Sequence, residues 1–184
     1  MRMRLFFATD IHGSEKCFLK FINAAAFYQA QVLVMGGDIT GKMLVPIIKE
    51  PSGIAVATFM ERRWHLDTEN EIAGLMKNIR YSGGYPYVCT REEYDYLSGD
   101  EDAVSRVFTK VMVSELMRLL DDAGEKLSQT GTRCYITPGN DDNMAIDAVF
   151  EGREWVTNPE GQIVDINEDH QMISSGYANL TPRK

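Results

Sequence analysis

Cysteine is scarce in this sequence. Only Cys17, Cys89 and Cys134 occur among 184 residues. An odd number at wide spacing argues against a disulfide framework and against a thiolate zinc site. A reducing, cytoplasmic setting is the expectation. Long apolar runs are missing too: no window approaches the ~18 residues that a membrane span needs, so no membrane partner is expected. The basic start Met1-Arg2-Met3-Arg4 is followed by only four apolar residues, Leu5-Phe6-Phe7-Ala8, and Asp10 soon closes the run. That is too short for a secretory signal. Positive charge is also in deficit, with 19 Lys and Arg against 27 Asp and Glu, net −8. Sequence-independent binding to duplex nucleic acid needs the opposite balance, so no duplex partner is expected. An acidic surplus instead permits a local carboxylate cluster, which favours metal cations. Histidine is limited to His12, His65 and His170.

What is present is globular. Hydrophobic residues make up 44% and charged residues 25%, near the average for folded domains. The length fits one domain, here residues 1–184, which folds without a covalent staple. Residues 4–8 form an apolar, aromatic strand. Ser14 can cap a helix whose inner face is Phe18, Phe21, Ile22, Ala25 and Ala26. Residues 32–35 form a second buried strand, ended by Gly36-Gly37. Strand, helix and strand within about forty residues are the signature of a right-handed parallel crossover, and an α/β layered fold is expected.

About a hundred residues then separate Asp38 from Gly139, where a simple crossover needs about a dozen. Residues 43–48 and 54–59 read as a hairpin around Glu50-Pro51-Ser52-Gly53. A helix is expected over 67–80, broken by Ser82-Gly83-Gly84, and a helical turn or two over 91–97. A long amphipathic helix spans about 100–128. Its stripe (Val104, Val107, Phe108, Val111, Met112, Leu116, Leu119, Leu120, Ala123, Leu127) is read as core packing. The hairpin and long helix are expected to form a cap, about residues 42–130, beside the functional edge. Residues 133–137 make a third buried strand and 143–150 a short helix. Strand-like pieces follow at 155–156, 163–166 and 172–173.

Three strand ends carry the chemistry. One apolar run leads into Thr9-Asp10-Ile11-His12-Gly13, the next into Gly36-Gly37-Asp38, the third into Pro138-Gly139-Asn140-Asp141-Asp142. If the strands are parallel, all three clusters lie outside their carboxyl ends, where open α/β sheets bind ligands. Asp10 and His12, two apart in an extended strand end, would leave the same face. Asp38 and Asn140 add oxygens. Carboxylate, amide oxygen and imidazole together suit manganese, iron, zinc or magnesium. A carboxylate can bridge two such ions, a recurrent device for phosphoryl hydrolysis.

Asp10-x-His12, Gly37-Asp38 and Gly139-Asn140-Asp141, in that order, resemble the first three motifs of the calcineurin-like metallophosphoesterases. The resemblance implies a metallophosphoesterase-like β-sandwich flanked by helices. It implies metal-dependent hydrolysis of a small phosphorylated substrate at a dinuclear centre. Asp10 and His12 would bind the first ion, Asp38 would bridge, and Asn140 would bind the second. The family has histidine after Gly-Asn, a residue thought to stabilise the transition state or protonate the leaving group; Asp141 stands there. Asp141 and His12 are therefore the expected catalytic residues, with Asp142 expected to orient the residue before it.

The family's later Gly-His-x-His motif has no counterpart, so the sandwich is expected to be incomplete at its C-terminal end. One retained ion is expected, with a weak or empty second site. Some of Phe6, Val32, Val34 and Tyr135 are expected to face a layer that is not fully present, and self-association through the incomplete sheet face is expected. Two functional classes follow: a working phosphoesterase, or an impaired or truncated relative serving as a binding or regulatory module or an inactive fragment. His65 reads as a surface residue and His170 as a solvent-facing strand histidine. The tyrosines at 81, 85, 87, 94 and 96 read as core and turn packing. Thr40-Gly41-Lys42 lacks the upstream glycine of a phosphate loop.

Overall fold

The computed structural model describes residues 3–176. The first apolar run forms strand β1 (Leu5–Ala8), and helix α1 (Glu15–Tyr28) follows it. Ser14 caps α1, its Oγ accepting the Cys17 N–H at 3.3 Å. Strand β2 (Val32–Gly36) returns parallel to β1, with Leu5 opposite Val32 and Ala8 opposite Met35. The chain then builds a second sheet from β3 (Met43–Lys49), β4 (Ala55–Phe59), β5 (Arg62–Leu66) and, after helix α2 (Glu69–Tyr81), β6 (Gly84–Thr90). Its order is β5-β4-β3-β6.

Helices α3 (Arg91–Ser98) and α4 (Glu101–Leu127) carry the chain back to β7 (Arg133–Thr137), which lies parallel to β2. A 3-10 helix (Met144–Phe150), β8 (Val156–Thr157) and an antiparallel pair, β9 (Ile163–Asn167) with β10 (His170–Ile173), complete the described residues. The first sheet runs β1-β2-β7-β8, all parallel. The class is mixed α/β, as the alternation of strands and helices implied.

One face of the first sheet, with Leu33, Met35, Cys134 and Ile136, packs under α1 and α4. The buried residues of α4 include Met112, Leu116, Leu120, Ala123 and Leu127. The carboxyl half of the long helix is therefore core of the first sheet rather than part of a cap above it. Its apolar stripe has no other way to leave water. The other face of the sheet carries Val32, Val34 and Tyr135, buried beneath Val164, Ile166 and Met172 of β9 and β10. These three were among the residues expected to meet an incomplete layer, but the β9–β10 pair covers them. Phe6 faces the opposite core, and the exposed residues of edge strand β1 are Leu5 and Phe7. The second sheet has its own core, Val45, Ile47, Ala57 and Phe59 against Ile72, Leu75 and Ile79 of α2. No helix among the described residues is long and apolar enough to cross a membrane.

A charge network ties the two parts together. Glu115 of α4 accepts from Arg80 of α2 at 2.7 and 2.9 Å and from Arg118 at 3.0 Å, and Arg118 also pairs with Glu15 of α1. Burial pushes the Glu115 carboxyl up, but the two guanidiniums outweigh it and hold the group below its usual range. An acid lowered in the folded state stabilises above its unfolded pKa and loses that contribution as pH falls through the lowered value. Glu115→Gln is therefore expected to flatten the acid limb of the stability profile, as read by denaturant unfolding between neutral pH and pH ~3.

Candidate metal centre

The three strand ends converge as the parallel register requires. After Ala8 the chain continues beside the loop that follows β2: the Asp10 N–H donates to Gly37 O (3.1 Å), His12 N–H to Asp38 O (2.9 Å) and Gly13 N–H to Ile39 O (2.7 Å). On the other side the Asp141 N–H donates to Asp38 Oδ1 at 3.2 Å. Asp38 thus lies between the β1 loop and the β7 loop.

Asp10, His12 and Asp38 each present one donor atom within 4.8 Å of the others, and His12 Nε2 lies 3.7 Å from Asp10 Oδ1. Two donors that share one divalent ion at ~2.1 Å are at most ~4.2 Å apart. The spread of up to 4.8 Å is of that order, and Asp10 and His12 are about half exposed. Two carboxylates and an imidazole are donor types that divalent transition cations accept.

The backbone that delivers these groups differs from the expectation. Asp10 and His12 do not continue an extended strand, for β1 ends at Ala8. Both are left-handed, with φ of 55° and 44°, and Asp38 is too, at 51°. Outside glycine this region is uncommon, though aspartate and histidine enter it more readily than most residues. The convergence comes from two turned loops, not from alternation along a strand. Such outliers cluster where surrounding structure over-determines them, often at functional sites.

Electrostatics points the same way. The Asp38 carboxyl is raised above its ordinary value, first by burial and then by the Asp141, Asp142 and Asp10 carboxylates, against the lowering by the Asp141 N–H. A crowded, partly buried carboxylate gains from a nearby cation.

Asn140 lies on the β7 loop between Gly139 and Asp141. Gly139 is pressed so close that a Cβ there would fall 2.2 Å from Asp38 Oδ1. The carboxylate of Asp141 pairs with Lys42. Both oxygens of Asp142 accept hydrogen bonds from the β2 loop and from Gly139. His65 stands on β5, exposed, opposite Val56. His170 lies on β10, with Nδ1 2.9 Å from Asn167 Oδ1. Neither belongs to the cluster. Tyr85 is buried with its hydroxyl accepting the Gly41 N–H at 2.8 Å, as the packing reading expects, whereas Tyr96 is exposed.

The contribution of Lys42 was not visible in the sequence. It sits in the rejected Thr40-Gly41-Lys42 triplet, and its partner is 99 residues away. Compared with protein-family models, with curated proteins and with solved structures, the chain matches none.

Proposed function

We propose that this chain is a metal-dependent phosphoester hydrolase of the calcineurin-like type. The observation that carries this reading is the Asp10–His12–Asp38 cluster at the carboxyl ends of parallel strands. Its finer fold would be a metallophosphoesterase-like sandwich in one domain, with the second sheet as the insertion that shapes access. Asp10, His12 and Asp38 hold one divalent ion (manganese, iron, zinc or magnesium). Asn140, between Gly139 and Asp141 on the β7 loop, would offer an amide oxygen to a second, weaker position. A bound cation draws charge from phosphoryl oxygens and acidifies a water molecule.

The chain's own groups do the rest. Lys42, next to Gly41, pairs with Asp141, whose own N–H donates to Asp38. It is placed to hold an anionic phosphate oxygen. Asp141 accepts from Lys42 at the position where the resembled family uses histidine, so a carboxylate held by a lysine replaces the family's imidazole. That substitution favours slow turnover, an impaired form of the same activity.

Calorimetric titration with manganese tests the reading: one ion per chain is expected, and either no ion or two tight ions would contradict it. Hydrogen bonds to a charged group are worth about 1.5–3 kcal/mol, so Lys42→Met is expected to raise KM for an aryl phosphate by about tenfold or more. The affinity for manganese should not fall, because the variant removes a positive charge from the rim. A parallel loss of metal binding would show that Lys42 acts on the site's structure rather than on the anion.

A further inference from the structure

Four donors converge on one carboxylate that the metal cluster does not use. Asp142 Oδ1 accepts the Thr40 N–H at 2.8 Å and the Thr40 Oγ1–H at 2.6 Å. Its Oδ2 accepts the Ile39 N–H at 3.0 Å and the Gly139 N–H at 2.8 Å. An ionised carboxylate offers about four lone-pair sites, and here all four are taken. Asp142 is therefore unavailable as a metal ligand, although it lies in the same loop as Asn140.

The residues it grips explain what it does. Ile39 and Thr40 follow Asp38 directly, and Thr40 is buried. Asp38 is left-handed, and so is the Gly37 before it, with φ of 102°. On the β1 side this strained peptide is held by the His12 N–H on Asp38 O and the Gly13 N–H on Ile39 O. On the β7 side the fasteners are the Asp142 carboxylate and the Asp141 N–H on Asp38 Oδ1. Charge-assisted bonds of this kind are roughly twice as strong as neutral ones. Gripping Gly139 with the same oxygen that grips Ile39 also fixes the gap between the Asp38 loop and the Asn140 loop.

We infer that Asp142 is a positioning residue: it locks Asp38 in its left-handed turn and sets the spacing between the two halves of the metal site. This deepens the metallophosphoesterase reading and rests on it. A residue that only stabilises the fold would change how many chains are folded, not how well each folded chain holds the cation.

The test is manganese binding followed by electron paramagnetic resonance on the full chain, at a temperature where circular dichroism shows each variant folded. Asp142→Asn keeps the shape but sets an amide N–H₂ against backbone N–H donors. It is expected to weaken manganese binding per folded chain about tenfold or more, the loss of one charge-assisted bond or more. Thr40→Val removes one of the four donors and is the milder variant should Asp142→Asn fail to fold. It should weaken binding by about threefold, the effect of one ordinary hydrogen bond. Unchanged manganese affinity in folded Asp142→Asn and Thr40→Val, with only lower melting temperatures, would overturn the positioning role and leave the metal site standing. No manganese binding by the unmodified chain would overturn the metal site itself, and the positioning role with it.

Discussion

Asp38→Asn is expected to abolish the stabilisation of this chain by divalent cations. A ligand at a hundred times its dissociation constant adds about 2.7 kcal/mol to the folded state. For a chain of this length each kcal/mol shifts the melting temperature by about 2–4 °C. Manganese should therefore raise the melting point of the unmodified chain by about 5–10 °C, and that of the variant by nothing measurable. Asp38 is decisive for three reasons. It is the least exposed of the three donors. It lies between the β1 and β7 loops. In the proposed centre it would bring charge to both metal positions. The variant's metal-free form should be no less stable, because asparagine can still accept the Asp141 N–H and carries no charge among neighbouring carboxylates. An equal manganese shift in both proteins, read by differential scanning calorimetry, would place the cation elsewhere.

Gly83→Ala is expected to damage both the fold and the site. The second sheet meets the metal edge through three glycines packed backbone to backbone. A Cβ on Gly83 would lie 2.3 Å from His12 O; one on Gly41 would lie 1.9 Å from Gly83 O; one on Gly13 would lie 2.6 Å from Gly41 N. Gly83 is also left-handed, at φ 87°. The left-handed conformation costs a side-chain-bearing residue about 1–2 kcal/mol, and overpacking adds about 1–3 kcal/mol. A loss of about 2–5 kcal/mol is expected. The atom struck is the carbonyl of His12, a proposed metal donor, so manganese affinity should fall as well. Gly53→Ala is the matched control, since its φ is 90° and nothing lies within 4 Å of the added Cβ. It should show the backbone cost alone, with metal binding intact. Equal destabilisation by the two variants would mean that the contact with His12 contributes nothing.

The parallel strands and the polar clusters at their ends were legible because each apolar run stops at polar residues with a glycine among them, a pattern set by local chemistry. The hairpin of β3 and β4 was legible for the same reason, through Pro51 and Gly53. Strand β5 was not. Its turn from β4 uses Met60 and Glu61, both left-handed at 50° and 58°, where asparagine or glycine is the usual signal. Strand β6 hid behind Pro86 and a run of tyrosines; it pairs only with β3, at the sheet edge, where proline is tolerated. At the site, the identities of Asp10, His12 and Asp38 could be read from their places after the strands. Their left-handed backbones could not, because those are imposed by hydrogen bonds between loops. The clamp by Asp142 and the pairing of Lys42 with Asp141 join positions about a hundred residues apart. No local pattern encodes a contact of that kind.

Hydrolysis of an aryl phosphate across a manganese titration, with the unmodified chain and Asp38→Asn purified side by side, tests the proposed activity most directly. The rate of the unmodified chain should rise from near zero, saturate at the manganese concentration where calorimetry shows the site filled, and stay modest because the second metal position is weak. The Asp38→Asn protein should remain at the metal-free rate throughout. A rate that ignores manganese, or one that rises equally in both proteins, would contradict a phosphoesterase centre built on Asp10, His12 and Asp38.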